Sequence, residues 1–254
     1  LSQVEQASAN LARLHSILKN VEISVEQIEY NVSANLQDTF EKRNRELKRV
    51  RSYIRDKKQK NEFELLYLNY YDEFCEQGKE ATRRLIDSDY SKVLESCIEN
   101  KTVCHGNYTY HNILMLNKSK NEAVFRAYIP PEWINRQALS TASLSSDFSR
   151  TIATTNFEKS HIGLQITDLY QFIRKVMEKN NWDIMYGNNI IEAYDRIQPI
   201  SKRELKILYV LLLYPEKFWK ITNFYYNGKK AWISGRNIQK LNSIGEQNPK
   251  KNVF

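Results

Sequence analysis

Val103-Cys104-His105-Gly106-Asn107-Tyr108-Thr109-Tyr110-His111-Asn112-Ile113-Leu114-Met115-Leu116 is the stretch on which the fold turns. Thr102 to Cys104 reads as a short strand, His105 to His111 is polar and contains Gly106 and Asn107, and Ile113 to Leu116 is a second apolar run. The order predicts strand, loop, strand. Gly and Asn are ordinary turn formers, so the loop by itself is compatible with a plain turn or with a site, and its setting between two apolar strands favours a site.

Upstream, the period is helical. Val4, Ala7, Leu11, Leu14 and Leu18 share one face over residues 3–18, with His15 beside that stripe as a packed or capping histidine. Further helices are expected from about Ala34 to Lys58, from Phe63 to Leu85, and through Ile98 behind an N-cap at Asp87 or Ser88. Downstream, residues 122–152 are Ser-, Thr- and Ala-rich, include Pro130-Pro131 and lack a sustained period, which predicts an insertion. Helices follow over Ile166–Lys179 with Thr167 as its cap, near 183–197, and over 201–213, where Ser201 and Glu204 have capping-box spacing. Pro215 should end or kink the last of these, an aromatic segment continues through Tyr226, and Trp232–Gln247 reads as a final amphipathic helix before a polar tail. No internal repeat is visible.

The chain has 254 residues, 41% of them hydrophobic and 7 of them Gly, enough apolar material for a buried core and a composition that favours helices over a β-sandwich. Cys75, Cys97 and Cys104 form no CxxC and have no histidines at ligand spacing, so neither a zinc site nor a disulfide framework is indicated, and a reducing cytosol is the default expectation. The best apolar run, Ile207 to Tyr214, is too short to span a bilayer. The chain opens on Leu1 rather than Met and without a secretory leader pattern, which leads us to expect a truncated start.

A net charge of +8 fits either a polyanion partner or an ordinary basic surface. Ten Lys and Arg residues fall between Lys42 and Lys60, interleaved with Leu47, Val50 and Ile54 at helical spacing. That is a basic amphipathic helix, either a solvated face over one buried stripe or an anion patch through Lys48, Arg49, Arg51 and Arg55. The sixteen tyrosines, Tyr67, Tyr70 and Tyr71 among them, are read as core aromatics or as interface and cross-linking sites.

The opening segment resembles the catalytic loop of aminoglycoside and choline kinases, in which His-Gly-Asp is followed five residues after the Asp by Asn. In that class the carboxylate orients the acceptor hydroxyl and takes its proton, and the Asn oxygen helps hold Mg²⁺ against the nucleotide phosphates. His105 and Gly106 match, Asn112 keeps the metal-side position, and Asn107 stands where the carboxylate belongs. A neutral amide is no general base, so the resemblance implies crippled phosphotransfer. Thr154-Thr155-Asn156-Phe157-Glu158 is similar to the metal-binding strand end of the same class, with Asn156 replacing the principal Mg²⁺ carboxylate and Glu158 keeping the second acidic position. Such a set makes a weak metal site, and an ordinary strand end with a surface charge is the competing reading.

A third series narrows the resemblance. Asp168-Leu169-Tyr170, Phe172, Arg174-Lys175, Glu178-Lys179 and Trp182 look like the signature of CotS-type bacterial spore-coat proteins, as do Tyr214 to Trp219 and Lys240-Leu241. Asp168 would be the structural aspartate that braces the catalytic loop. The implied architecture is a mainly α chain with a small β element, the larger C-terminal lobe of a protein-kinase-like fold. The small β-rich lobe is absent, because residues 1–100 contain no plausible five-stranded sheet. The implied function is coat assembly by binding, as a pseudokinase made in the mother-cell cytoplasm and placed in the coat beside other coat proteins. No cofactor follows from that reading. The alternatives are an ATP- and Mg²⁺-dependent small-molecule kinase whose other lobe lies elsewhere, and a polyanion binder using the basic helix.

Overall fold

A computed structural model of the chain describes residues 2–19, 32–116, 151–228 and 235–254. Helix α1 (Ser2–Leu18) buries Ala7, Leu11 and His15 on one face, and that face packs on α6 (Ile184–Asp195). Helix α2 (Leu36–Asp56) starts at Asn35, whose side chain accepts from Gln37 N, and buries only Phe40, Leu47 and Ile54. That narrow stripe lies against α3 (Glu62–Ile86), which is fixed at its start by a capping box between Asn61 and Glu64.

Helix α4 (Tyr90–Glu99) is capped at Asp89, with no side-chain cap bond, instead of at Asp87 or Ser88. Asp87 closes α3, and the Ser88 hydroxyl donates to Leu85 O, so both expected caps belong to the preceding helix end. Helix α5 (Ile166–Lys179) likewise begins at Gln165. Thr167 lies inside its first turn, with its hydroxyl bonded back to Leu164 O.

Two small antiparallel sheets hold the loops between the helices. Strand β1 (Val103–Cys104) pairs with β4 (His161–Ile162), and β2 (Ile113–Leu116) pairs with β3 (Thr151–Thr154) in the register Ile113 to Thr154 through Leu116 to Thr151. The expected insertion over residues 122–152 lies outside the described residues, save that Thr151 and Ile152 are strand. Among the described residues before Lys101, everything regular is helical apart from a single bridge between Val32 and Ile162.

Helices α7 (Lys202–Leu213) and α8 (Glu216–Asn227) meet at Pro215, which ends the first and serves as N-cap to the second, so the aromatic segment is a helix of its own. The capping box Ser201–Glu204 forms as expected. The final helix, α9 (Gly235–Val253), runs beyond Gln247 and carries Pro249 inside it, so the polar tail is helical. Its docked face explains the extension: Leu241, Ile244 and Asn248 are buried, and α9 lies against α3 and α8.

Two apolar clusters result. One gathers Leu11, Tyr108, Leu169, Ile173 and Leu211 from α1, α5, α7 and the loop. The other gathers Ile54, Phe63, Tyr67, Phe74, Phe218 and Leu241 from α2, α3, α8 and α9. Tyr67 and Tyr71 are core residues of the second, and Tyr70 packs edge-on to Phe74. Each fully buried side chain of this size removes apolar surface worth about 1.5–3 kcal/mol.

Candidate functional site

The loop between β1 and β2 is pinned from beneath. Asp168, on the first turn of α5, is fully buried, and its carboxylate accepts the backbone N–H of His105 at 2.6 Å and that of Gly106 at 2.8 Å. The same Oδ2 also faces His15 Nε2 at 3.2 Å, and His15 Nδ1 meets the Tyr194 hydroxyl at 2.7 Å. An ionised carboxylate only accepts, so His15 donates from Nε2. The histidine beside the α1 stripe is therefore a buried partner of the brace.

Gly106 has φ +76°, and a Cβ there would stand 1.9 Å from the carbonyl oxygen of Lys159. Backbone passes backbone at that point, so only glycine fits. His105 is spent within the site. Its Nε2 donates to Thr155 O at 3.1 Å, which leaves Nδ1 to accept from Asn107 N at 3.1 Å and fixes the neutral tautomer. Burial pushes its pKa below the usual histidine value. The ring also stands edge-on to Phe157, 4.7 Å between centroids.

Asn112 is buried at the end of a short 3-10 turn, Tyr110–Asn112. Its Nδ2 donates to Asn107 O at 2.8 Å, and its carbonyl receives Thr155 N at 3.0 Å. The Ile113–Thr154 register thus brings Asn156 to the same end of the β2–β3 pair as Asn112 and the 105–107 loop. Asn156 is exposed and adopts φ 65°, ψ 66°, the left-handed conformation that Asn tolerates better than most residues. Glu158 follows on an exposed 3-10 turn, Phe157–Lys159.

The structure therefore gathers the backbones of His105, Asn107, Asn112 and Asn156 around one end of the ladder, with the Asp168 carboxylate beneath the loop. Residues not singled out from the sequence complete the cluster. Asn10 Nδ2 donates to the Tyr108 hydroxyl at 3.0 Å and to Thr154 Oγ1 at 2.9 Å, and Tyr108 donates to Ala7 O at 2.7 Å. Gln165 Nε2 donates to Val103 O at 2.9 Å and His15 O at 3.1 Å. Nothing in the local pattern marks these residues, because each partner lies about a hundred residues away or more, or on another element.

As a home for Mg²⁺ the cluster has the wrong donors. Asn107, Asn112 and Asn156 are neutral amides, the Asp168 carboxylate is taken up by the His105 and Gly106 N–H groups, and the other carboxylate, Glu158, sits on an exposed turn. Mg²⁺ sites are built on carboxylate and phosphate oxygens. Among the described residues, no group of three His, Cys, Asp or Glu side chains is placed to hold a metal ion.

A loop held by an aspartate of α5, next to a two-stranded ladder, is the arrangement that the sequence resemblance led us to expect, and the fold as a whole is similar to that of an aminoglycoside phosphotransferase. The crystal structure of an aminoglycoside phosphotransferase from Alicyclobacillus acidocaldarius superposes with a TM-score of 0.74 at 20% identity, covering 99% of this chain and 63% of that one. In sequence, the chain is homologous to spore coat protein S of Bacillus subtilis, 23% identical over 172 residues, which is 67% of this chain and 40% of that protein. The chain is thus similar in sequence to a spore coat protein and in fold to an aminoglycoside phosphotransferase. No family model matches. The chain spans less than two thirds of the length of either relative. No helix among the described residues is long and apolar enough to cross a membrane.

Proposed function

We propose that this chain acts in the bacterial spore coat as a non-catalytic, kinase-like module that contributes to coat assembly by binding other coat proteins. The observation that carries the reading is the contrast within one site. The brace of the catalytic loop, Asp168 to His105 and Gly106, is intact, while amides occupy both positions, 107 and 156, where phosphotransfer needs carboxylates. A fold kept in detail without its reactive groups serves as a binding scaffold. The homology to spore coat protein S supports the location. On this reading the chain corresponds to the larger, helical lobe, and ATP and Mg²⁺ are not its ligands.

The exposed side of α2 is the surface we assign to an acidic partner. Lys48, Arg49 and Arg55 are exposed there, with Lys42 and Arg45 alongside. Arg51 is partly withdrawn, paired with Asp72 at 3.0 Å and lying over the Tyr71 ring at 4.7 Å. Arg43 is paired with Glu216, and Lys57 with the buried Glu64.

The second reading, a small-molecule kinase completed by another lobe, draws support from the same intact brace. The test that separates the two uses a fluorescent fusion in a sporulating host, comparing the parent with Asn107→Ala and Asn156→Ala. Delivery of all three to the spore surface is expected. A fusion that stays diffuse in the mother cell ends the coat reading, and loss of delivery in the Ala variants alone moves function back to the cleft.

A further inference from the structure

Away from the kinase-like site, α5, α8 and α9 border a partly open cavity of about 40 Å³, lined by Arg174, Glu178, Trp182, Lys217, Asn248 and Lys251 among others. At roughly 10–15 Å³ per water-sized probe, it has room for about three waters or for one small ion with a water. Two of its lining side chains are buried yet incompletely bonded. Arg174 Nε, on a side chain 9% exposed, has no partner, and neither has Asn248 Oδ1. A buried guanidinium N–H left without an acceptor is costly, and native interiors fill such gaps with water or ions.

The charge around the cavity distinguishes between those two occupants. Glu178 is shared by Arg174 at 2.7 Å and Lys217 at 3.2 Å, and Glu216 is shared by Arg43 and, at 2.9 Å, Lys220. Lys251 pairs with no carboxylate among the described residues. It donates instead to Leu213 O at 3.1 Å and, at 3.4 Å, Tyr214 O. An ammonium has three N–H donors, so one remains. Four cations thus share two carboxylates and Lys251 is left over; of these, Arg174, Lys217 and Lys251 line the cavity with Glu178 and Glu216. Glu46 and Glu73, at the edges, are taken by the Trp219 indole at 2.7 Å and the Asn248 amide at 2.6 Å, and counting them still leaves an excess of positive charge. Burial pushes the Lys251 pKa down to about 8, with Glu178 opposing the shift and Arg174 adding to it.

We propose that this cavity binds a small monovalent anion of halide size, held between Arg174 Nε and Lys251 Nζ, with a water satisfying Asn248 Oδ1. The anion completes the charge balance of the junction and locks the last turns of α9 onto α5 and the α7–α8 corner. It is independent of the kinase-like site and of the reading given to it.

The experiment pairs diffraction with melting of the full 254-residue chain. Crystals soaked in bromide should show an anomalous peak in the cavity beside Arg174 and Lys251. In solution at pH 7 and constant ionic strength, replacing gluconate by chloride at about five times its dissociation constant should raise the melting midpoint by roughly 2–4 °C. Lys251→Met, which keeps the apolar stem, and Arg174→Lys, which keeps a cation for Glu178 but removes the Nε donor, should each lose most of that rise. A cavity without bromide overturns the proposal even if the variants fail to fold. So does a bromide peak with no chloride-specific shift in solution, or a shift that persists in both variants.

Discussion

Asp168 reaches back across the fold to hold Gly106, its Oδ1 accepting the glycine N–H at 2.8 Å while Oδ2 takes the N–H of His105 at 2.6 Å. A single buried carboxylate thereby sets the conformation of the whole 105–107 loop. Asp168→Asn keeps one acceptor oxygen but turns an NH₂ group toward a backbone donor. We expect it to lower stability by about 2–4 kcal/mol, read as a fall in the urea midpoint with unchanged slope. A loss under 0.5 kcal/mol would show that the loop does not depend on this brace.

His105 gives the site a pH dependence with a definite sign. Its folded pKa lies below the ordinary 6.5 because burial disfavours the cation, so the unfolded chain binds the proton more readily. The stabilisation from neutral His105 is fully present above pH 6.5 and is lost as the pH falls through the folded value. Denaturant midpoints measured from pH 7.5 to 5 should decline in the parent and decline less in His105→Gln. Parallel curves for the two proteins would contradict this assignment.

From the amide-lined cluster we expect weak or absent nucleotide binding. Calorimetry of the 254-residue chain with MgATP should detect no micromolar association. A micromolar dissociation constant corresponds to about 8 kcal/mol, more than a site with one exposed carboxylate should supply.

Repairing the carboxylates tests what silences the chemistry. Asn107→Asp with Asn156→Asp restores a proton acceptor and a metal ligand at positions whose backbone is already placed. Phosphoryl transfer depends on groups that position and neutralise the phosphates. On the reading proposed above, these groups belong to the smaller lobe of the kinase-like fold. The double variant should bind Mg²⁺ somewhat better and remain inert toward ATP. Turnover above that of the parent in a coupled assay would put the kinase reading first.

On α2, Lys48, Arg49 and Arg55 are exposed, so changing all three to Gln should alter melting little, within about 0.5 kcal/mol per site, while weakening retention on heparin. Arg51→Gln should cost more, up to about 1–2 kcal/mol, because it loses Asp72 and the Tyr71 ring together. Unchanged heparin retention in the triple variant would remove the acidic-partner surface.

Much of this was readable in the sequence because it depends on local pattern. The 3.6-residue period of Leu11 and its neighbours, the Ser201–Glu204 box and the two apolar runs around His105–Asn112 each specify an element within a few residues of chain. The ordered motifs also carried the kinase-like, CotS-like resemblance. What only the tertiary structure decided involves partners far apart in sequence. His15 meets Asp168 across 153 residues, Gly106 fits under Lys159, and Arg51 leaves the basic face for Asp72 on α3. The polar end of the chain continues α9 because Asn248 and Lys251 find partners at Glu73 and at the end of α7. Periodicity reports which face of an element is apolar, whereas hydrogen bonding of a buried polar group depends on which other element arrives there, and packing alone determines that.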